Sequence, residues 1–387
     1  MKLAKRALIL EPSPTLSLNA LVLTLISDGH KIINLTSGQL DFPTPENIKQ
    51  AGIAAIKNNK TFYTPTAGIP QLREQIAKKF TYQNKIETKA DNVVVGVGAK
   101  PLLYNAFQVL CNPGDEVLLA VPTWTSYVEQ IRLAEAKPVL IETPAPFILT
   151  AELLKKHITK KSKIILLNSP SNPTGAVIPK EELQKIGELA VEKDLYIITD
   201  EIYECMVFDS AEHHSIAALS KEIAERTITI NGFSKAYSMT GWRVGYATGP
   251  KEVIEQMVAF QSQTTSNTCS IAQYAALEAL EGPDESIAIV QAEIDKRRSY
   301  LIKELSQIKG LTFEKPSGSF YFFVSIEKLL NEKYPTSDEW CKQLLAEQKV
   351  AVVPGEAFLA PGYFRLSFAA SMAELKVAVK RIKSFVE

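Results

Sequence analysis

From Asp91 onward, seven short runs of β-branched and aliphatic residues recur between stretches of helical periodicity. They begin at Asn92 (NVVVGVG), Glu116 (EVLLAVP), Lys137 (KPVLIET), Lys163 (KIILLN), Leu195 (LYIITD), Arg226 (RTITI) and Val244 (VGYATG). Near-continuous apolar runs of this length mark strands buried on both faces. Between them, Lys100 to Leu110, Thr125 to Ala134 and Lys180 to Lys193 read as amphipathic helices; in the last, Leu183, Ile186, Leu189 and Ala190 form one buried stripe. Such alternation predicts an α/β fold, with a mostly parallel seven-stranded sheet covered on both faces and ligands bound beyond the carboxyl ends of its strands.

The flanks follow a different grammar. An apolar stretch, Leu16 to Ile26, reads as an amphipathic helix and not a signal peptide: Glu11, Pro12 and Pro14 separate it from Lys2, Lys5 and Arg6, and no A-x-A site follows. KIINLTSGQ then reads as a short strand ending in a turn at Gly38, and Thr44 as the N-cap of a helix reaching about Asn58. From about Asp284 come a long charged helix to about Gln307, the runs FYFFV, KVAVVPG and FRLSFA, and a helix from Met372. Strands and helices without strict alternation predict a second, smaller α+β domain. The expected division is residues 1–40 as an N-terminal segment joining the small domain, 41–283 as the large domain and 284–387 as the small one.

Composition excludes several classes. Basic and acidic residues both number 43, so the net charge is zero and gives no support to a nucleic-acid or membrane-surface partner. Cys111, Cys205, Cys269 and Cys341 show no CxxC spacing, which speaks against zinc and fits free thiols in the reducing cytoplasm. His213 and His214 are sequence neighbours, whose side chains point apart, so no metal site is expected there.

The stretch NGFSKAYSMTGWRVGY, Asn231 to Tyr246, follows a strand and sets Lys235 among glycines and aromatic residues, with Arg243 eight positions on. An amine held among apolar groups beside a cation has a depressed pKa; a shift from ~10.4 to ~7–8 requires roughly 4 kcal/mol. Such an amine is a nucleophile suited to a carbonyl. With an arginine nearby for an anion, the pattern points to an aldehyde cofactor carrying a phosphate, pyridoxal phosphate.

The ends of the other expected strands add partners. Gly96 and Gly98 precede a helix beginning near Ala99, whose free amides suit a phosphate. Trp124 either packs under its loop or stacks on an aromatic ligand. Asn172 lies in an NP turn, structural or ligand-facing. Asp200 is either a helix cap or a carboxylate that keeps a ring nitrogen protonated, and Tyr203 follows three residues later.

Taken together, SGQLDFPTP, YTPTAGIPQLRE, NPGDEVLL, NSPSNPTG, TDEIYE, FSKAYSMTGWRVGY and FRLSFA span almost the whole chain and resemble the class I aminotransferases of fold type I, most of all their aspartate aminotransferase subgroup. The resemblance implies that Lys235 links to the cofactor aldehyde and then shuttles a proton. It implies that Asp200 pairs with the ring nitrogen, Asn172 and Tyr203 hold the ring oxygen, Trp124 stacks, and Arg243 with the Gly98, Ala99 and Lys100 amides holds the phosphate. Arg365 matches the fork for the substrate α-carboxylate, in a site that Asn172 and Trp124 also line, and Gly38 a backbone contact to substrate. Tyr63 matches a residue reaching the neighbouring subunit's phosphate, which implies a homodimer with shared sites. Lys100 matches a lysine that engages the distal carboxylate of dicarboxylic substrates, or else is a first-turn surface lysine. Gly232 departs from the serine many members carry there, and QSQTTSN (Gln261 to Asn267) offers Ser262 where a second carboxylate fork would need arginine. The expected reaction moves an amino group between aspartate and 2-oxoglutarate; aromatic or prephenate aminotransferase and carbon–sulfur lyase are the alternatives. A DNA-binding regulator of similar core would need a basic extension for which the first residues leave no room.

Overall fold

The computed structural model describes residues 3–8, 10–283 and 285–387. Strand β1 (Ile33–Asn34) lies near the N-terminus, and β2 (Val93–Gly96), β3 (Glu116–Val121), β4 (Lys137–Glu142), β5 (Ser162–Asn168), β6 (Tyr196–Asp200), β7 (Thr227–Gly232) and β8 (Gly245–Thr248) follow. These last seven form one sheet in the order β2-β8-β7-β6-β5-β3-β4. Every expected run is a strand of it, and β8 alone runs antiparallel to its neighbours.

Helices cover both faces. On one, Leu102, Leu103, Phe107, Tyr127 and Ile131 pack on Val94, Val117, Ile164, Ile198 and Ile228; on the other, Leu183, Ile186, Leu189 and Ala190 meet Leu118, Ile165 and Ile197. The stripe read from Lys180 to Lys193 is thus the buried face of the helix Lys180–Glu192. Apart from the edge strand β4, these strands are largely buried, and the ligand site forms at their carboxyl ends.

A second, antiparallel sheet is built from β9 (Thr312–Phe313), β10 (Tyr321–Ser325), β12 (Val353–Pro354) and β13 (Tyr363–Ser367), while β11 (Val350–Ala351) pairs in parallel with β1. Its core holds Trp340, Phe364, Phe322 and Phe368 together with Ile33 and Leu35 from the N-terminal segment. The long helix runs Glu285–Leu305, its expected start at Asp284 lying outside the described residues, and the last helix runs Met372–Val386 behind a Ser371–Glu374 capping box.

Three expectations are corrected. KVAVVPG is not one strand: it breaks at Val352, and its halves join different sheets. Thr44 does not cap the helix Glu46–Lys57, whose N-cap is Pro45; its hydroxyl is instead taken by the Ser238 carbonyl at 2.8 Å and the Trp242 indole at 3.1 Å. The hydroxyl went to two tertiary partners that together offer it an acceptor and a donor. The helix Pro14–Ser27 exists, but within this chain it has no buried apolar stripe: Val22 is buried, while Leu16, Leu21, Leu23 and Ile26 are exposed.

Candidate active site

A cleft of about 430 Å³ opens at the carboxyl ends of β5, β6 and β7. It is lined by Gly38, Ala99, Lys100, Trp124, Asn172, Asp200, Tyr203, Lys235, Arg243 and Arg365, residues spread over more than 320 positions of sequence. Gly98 stands just behind: it is the N-cap of the helix Ala99–Leu110 at φ 88°, and a Cβ there would come within 2.5 Å of Arg243 Nη2. Only glycine allows that approach in that conformation. Tyr63 does not line the cleft and is 94% exposed.

Lys235 lies on the short helix Phe233–Ala236 that directly follows β7, and its Nζ donates to the Gly38 carbonyl. Burial, reinforced by the Arg365 charge, lowers its pKa to about 8, against the pull of Asp200. Asp200 closes β6 and is 3% exposed. Burial raises it to about 6, held in check by two donors: Tyr127 Oη to Oδ2 at 2.7 Å and the Ile202 amide to Oδ1 at 3.2 Å.

Arg365 comes from β13 in the second sheet. Its Nη1 donates to Asn172 Oδ1 at 2.9 Å and Nη2 to the Thr36 carbonyl at 2.7 Å, whereas Nε is buried without a partner. Each Nη group keeps a second N–H, so the guanidinium lining the cleft can still fork an anion that enters it. Lys100 Nζ sits 4.6 Å from the Trp124 ring centroid, so the first-turn lysine turns into the cleft and not to the surface; burial first, then the Arg243 charge, lowers its pKa. Arg243 occupies the left-handed region at φ 57°, ψ 54°, a strained setting for a non-glycine residue, and donates to the Thr240 and Val97 carbonyls. The helix Ala99–Leu110 lacks a side-chain cap, leaving its first amides open beside that guanidinium.

Several cleft residues were not foreseen. Tyr127, Asn168 and Tyr321 all line it, as does Ser234, beside the lysine, to which the sequence assigns no role. Asn168 orders the neighbourhood by donating to the Asp200 carbonyl at 3.0 Å and accepting from the Asn172 amide at 2.9 Å. Tyr127 lies three residues after Trp124, one helical turn on, a spacing that could have brought it out. Tyr321 sits in FYFFV, which reads simply as an apolar strand. At Gly232 a Cβ would lie 3.1 Å from Gly245 Cα and 3.2 Å from the Val244 carbonyl, so this backbone leaves little space for a serine.

Glu201, Glu204 and His213 form a group whose ligating atoms lie within 4.8 Å of one another, a clustering that sequence adjacency of the histidines did not suggest. Its carboxylate oxygens are already engaged. Glu204 meets Lys79 and Asn84, and Glu201 meets Ser215 at 2.6 Å, His213 at 3.1 Å and Thr199 at 3.3 Å. With an ammonium inside it, this group is a salt-bridge network in which the carboxylates are paired and His213 Nδ1 is left without a partner.

The sequence model of the family "Aminotransferase class I and II" matches residues 30–382. An aspartate aminotransferase of Geobacillus stearothermophilus is 45% identical over 390 residues, covering 100% of this chain and 99% of that protein. A probable aspartate/prephenate aminotransferase of Aquifex aeolicus is 43% identical, covering 100% and 98%. Among solved structures, the aspartate aminotransferase of Thermus thermophilus with maleate superposes with a TM-score of 0.95 at 40% identity over the full length of both chains. The chain belongs to the class I and II aminotransferase family.

Proposed function

We propose that this aminotransferase uses pyridoxal phosphate to move an amino group between aspartate and 2-oxoglutarate, with a broader range of acceptors. One observation carries the reading: a buried amine with its pKa near 8, Lys235, shares a cleft with the Asp200 carboxylate and the underused Arg365 guanidinium. The residues suit a flat, phosphorylated aldehyde. Open helix amides, the Gly98 approach and Arg243 would take the phosphate, Trp124 the ring face, Asn172 and Tyr203 the ring oxygen, and Asp200 the ring nitrogen. When bound, pyridoxal phosphate supplies the aldehyde for covalent linkage and a protonated ring that accepts electron density.

The chain's own residues divide the remaining work. Lys235 Nζ, about half neutral near pH 8, takes a proton from the substrate α-carbon and returns it. Asp200 stays ionised beside the ring nitrogen because Tyr127 and the Ile202 amide donate to it. Arg365, with further N–H groups beyond the two already used, forks the α-carboxylate while the Gly38 backbone contacts the substrate. Lys100, poised over Trp124, reads the distal carboxylate. Ser262 is exposed and hydrogen-bonds locally to the Ala259 carbonyl.

A homodimer with shared sites belongs to the same proposal. Tyr63 and Phe62, 94% and 78% exposed, present an aromatic surface that a second copy would cover, with Tyr63 reaching the partner's phosphate. Four free cysteines support a cytoplasmic setting, and among the described residues no helix is long and apolar enough to cross a membrane. Pairing of β1 with β11 supports assigning residues 1–40 to the small domain formed by 284–387, with 41–283 as the large one.

A relative named for aspartate and prephenate favours one alternative, an aromatic or prephenate aminotransferase. A single-turnover absorbance scan of the cofactor-loaded protein, mixed in turn with aspartate, glutamate, phenylalanine, alanine and cysteine, decides between them. Aspartate and glutamate are expected to convert the cofactor band to its amine form fastest. Phenylalanine in the lead would make the pocket aromatic, and pyruvate with ammonia from cysteine would make the enzyme a carbon–sulfur lyase.

A further inference from the structure

Four aromatic or aliphatic neighbours surround Tyr321 in the run FYFFV, and phenylalanine fills three of those positions. Packing alone therefore gives no reason for a hydroxyl at 321, which is 1% exposed. The hydroxyl lies 3.0 Å from that of Tyr203, and the ring lies 4.2 Å from Arg365 Cζ. Phe358 approaches the same guanidinium at 4.9 Å. Strand register explains the placement: Phe323 opposes Arg365 on β13, so Tyr321, two residues back, is a diagonal neighbour on the same side.

We propose that Tyr321 is a positioning residue that joins the two halves of the site, its ring fixing the plane of Arg365 and its hydroxyl fixing the proton of Tyr203. The inference rests on the function proposed above. A planar carboxylate fork works only if the guanidinium plane is held, and faces of Tyr321 and Phe358 confine it. The second role follows from proton counting. A phenol has one proton; if Tyr203 gives its proton to a ligand oxygen in the cleft, its lone pair must accept the proton of Tyr321. Tyr321 thus orients Tyr203 as a donor toward the cleft. The same hydroxyl lies 3.0 Å from where a Cβ on residue 38 would stand, so any side chain there would press on it, beside the carbonyl that receives Lys235.

Two substitutions separate the roles in the cofactor-loaded enzyme. Tyr321→Phe keeps the ring and removes the hydroxyl: kcat is expected to fall about tenfold, with the aspartate KM and maleate affinity unchanged and the pH midpoint of the cofactor absorbance displaced. Tyr321→Leu removes the ring as well: maleate affinity and aspartate KM are expected to weaken about tenfold in addition. In a Tyr203→Phe background, Tyr321→Phe should then have no further effect on kcat or on the absorbance midpoint. Equal effects of both variants on every parameter, or full additivity with Tyr203→Phe, would reject the proposal. Maleate binding and the absorbance midpoint are read without turnover, so the comparison holds even if aspartate proves not to be the substrate.

Discussion

Asp200, which ends strand β6, and Glu201, the next residue, are both carboxylates with almost no exposure, yet they meet opposite surroundings. Asp200 faces the cleft, where two donors support it and four cations, Lys100, Lys235, Arg243 and Arg365, gather without closing an ion pair among the described residues. Glu201 faces the other side, where Ser215, His213 and Thr199 bind it, and where Lys79 and Asn84 close around Glu204. The pKa directions follow. In the cleft, burial wins: Asp200 rises to about 6 and Lys235 falls to about 8. In the network, pairing wins. Burial would lower His213, but Glu201 and Glu204 raise it further, and burial would raise Glu204, but Lys79 lowers it. Asp200 and Lys235 thus each carry a charge that their surroundings disfavour by about 3 kcal/mol, whereas the network stabilises its own charges. The unpaired cluster is the one that awaits a ligand.

The sharpest way to break this contrast is Lys235→Ala. Turnover should fall by at least ~10⁴-fold and the cofactor linkage band should vanish, while the cofactor-free protein unfolds at an unchanged or higher denaturant midpoint, because a disfavoured charge has gone. Retained multiple turnover would overturn the assignment of Lys235. On the other side of β6, Glu204→Gln leaves Lys79 buried without its anion and should destabilise the fold by about 3–5 kcal/mol. A loss below ~1 kcal/mol in urea unfolding would mean that the network is more hydrated than its geometry indicates.

A third test acts at the border between the clusters. Tyr127→Phe removes a hydrogen bond to a charged group, about 1.5–3 kcal/mol, and should lower kcat roughly 10–100-fold. The donor favours ionised Asp200, so its loss raises that pKa, and the acidic limb of the pH–rate profile should move to higher pH. A limb that stays in place would detach Tyr127 from Asp200.

Lys100→Ala is a smaller effect: kcat/KM for aspartate should drop about tenfold, but that for alanine or phenylalanine much less. An equal loss across all three would remove Lys100 from the distal carboxylate.

The smallest effect is on pH dependence of stability. His213 has a raised folded pKa, so its contribution is complete below its unfolded value of about 6.5 and fades as pH rises through the folded value. Glu204 is lowered, so its contribution is present above about 4.5 and fades as pH falls through its folded value. In the cofactor-free cleft both signs reverse: acid relieves Asp200 below about 6, and base relieves Lys235 above about 8. Urea midpoints across pH for wild type and His213→Asn should therefore converge at alkaline pH; curves that run parallel throughout would leave His213 without a proton-linked role.

How much of this was legible in the sequence depends on how each residue is specified. The seven strands were, because burial on both faces demands continuous apolar runs and leaves little ambiguity of period. Lys235, Asp200 and Asn172 were, because each sits at a strand end or turn whose local sequence is unusual. Thr44 was misread because its hydroxyl was claimed by Ser238 and Trp242, almost 200 residues away, over the helix that follows it. Tyr127 and Tyr321 escaped notice for a related reason: an aromatic in an apolar run looks like core, and only tertiary neighbours reveal that its hydroxyl is used. The Glu201–Glu204–His213 network could not be read at all, since Lys79 and Asn84 reach it from a helix and loop more than 100 residues earlier.

For protein engineering, the end of β6 behaves as a reading frame. Side chains alternate along a strand, so inserting or deleting one residue between Tyr196 and Asp200 would send Glu201 toward the cofactor cleft and Asp200 into the salt-bridge network. Composition would hardly change and both positions would remain acidic, yet each carboxylate would stand among the other's partners. Length changes in this strand should therefore be far less tolerated than most point substitutions within it, and alignments used for redesign are best anchored there first.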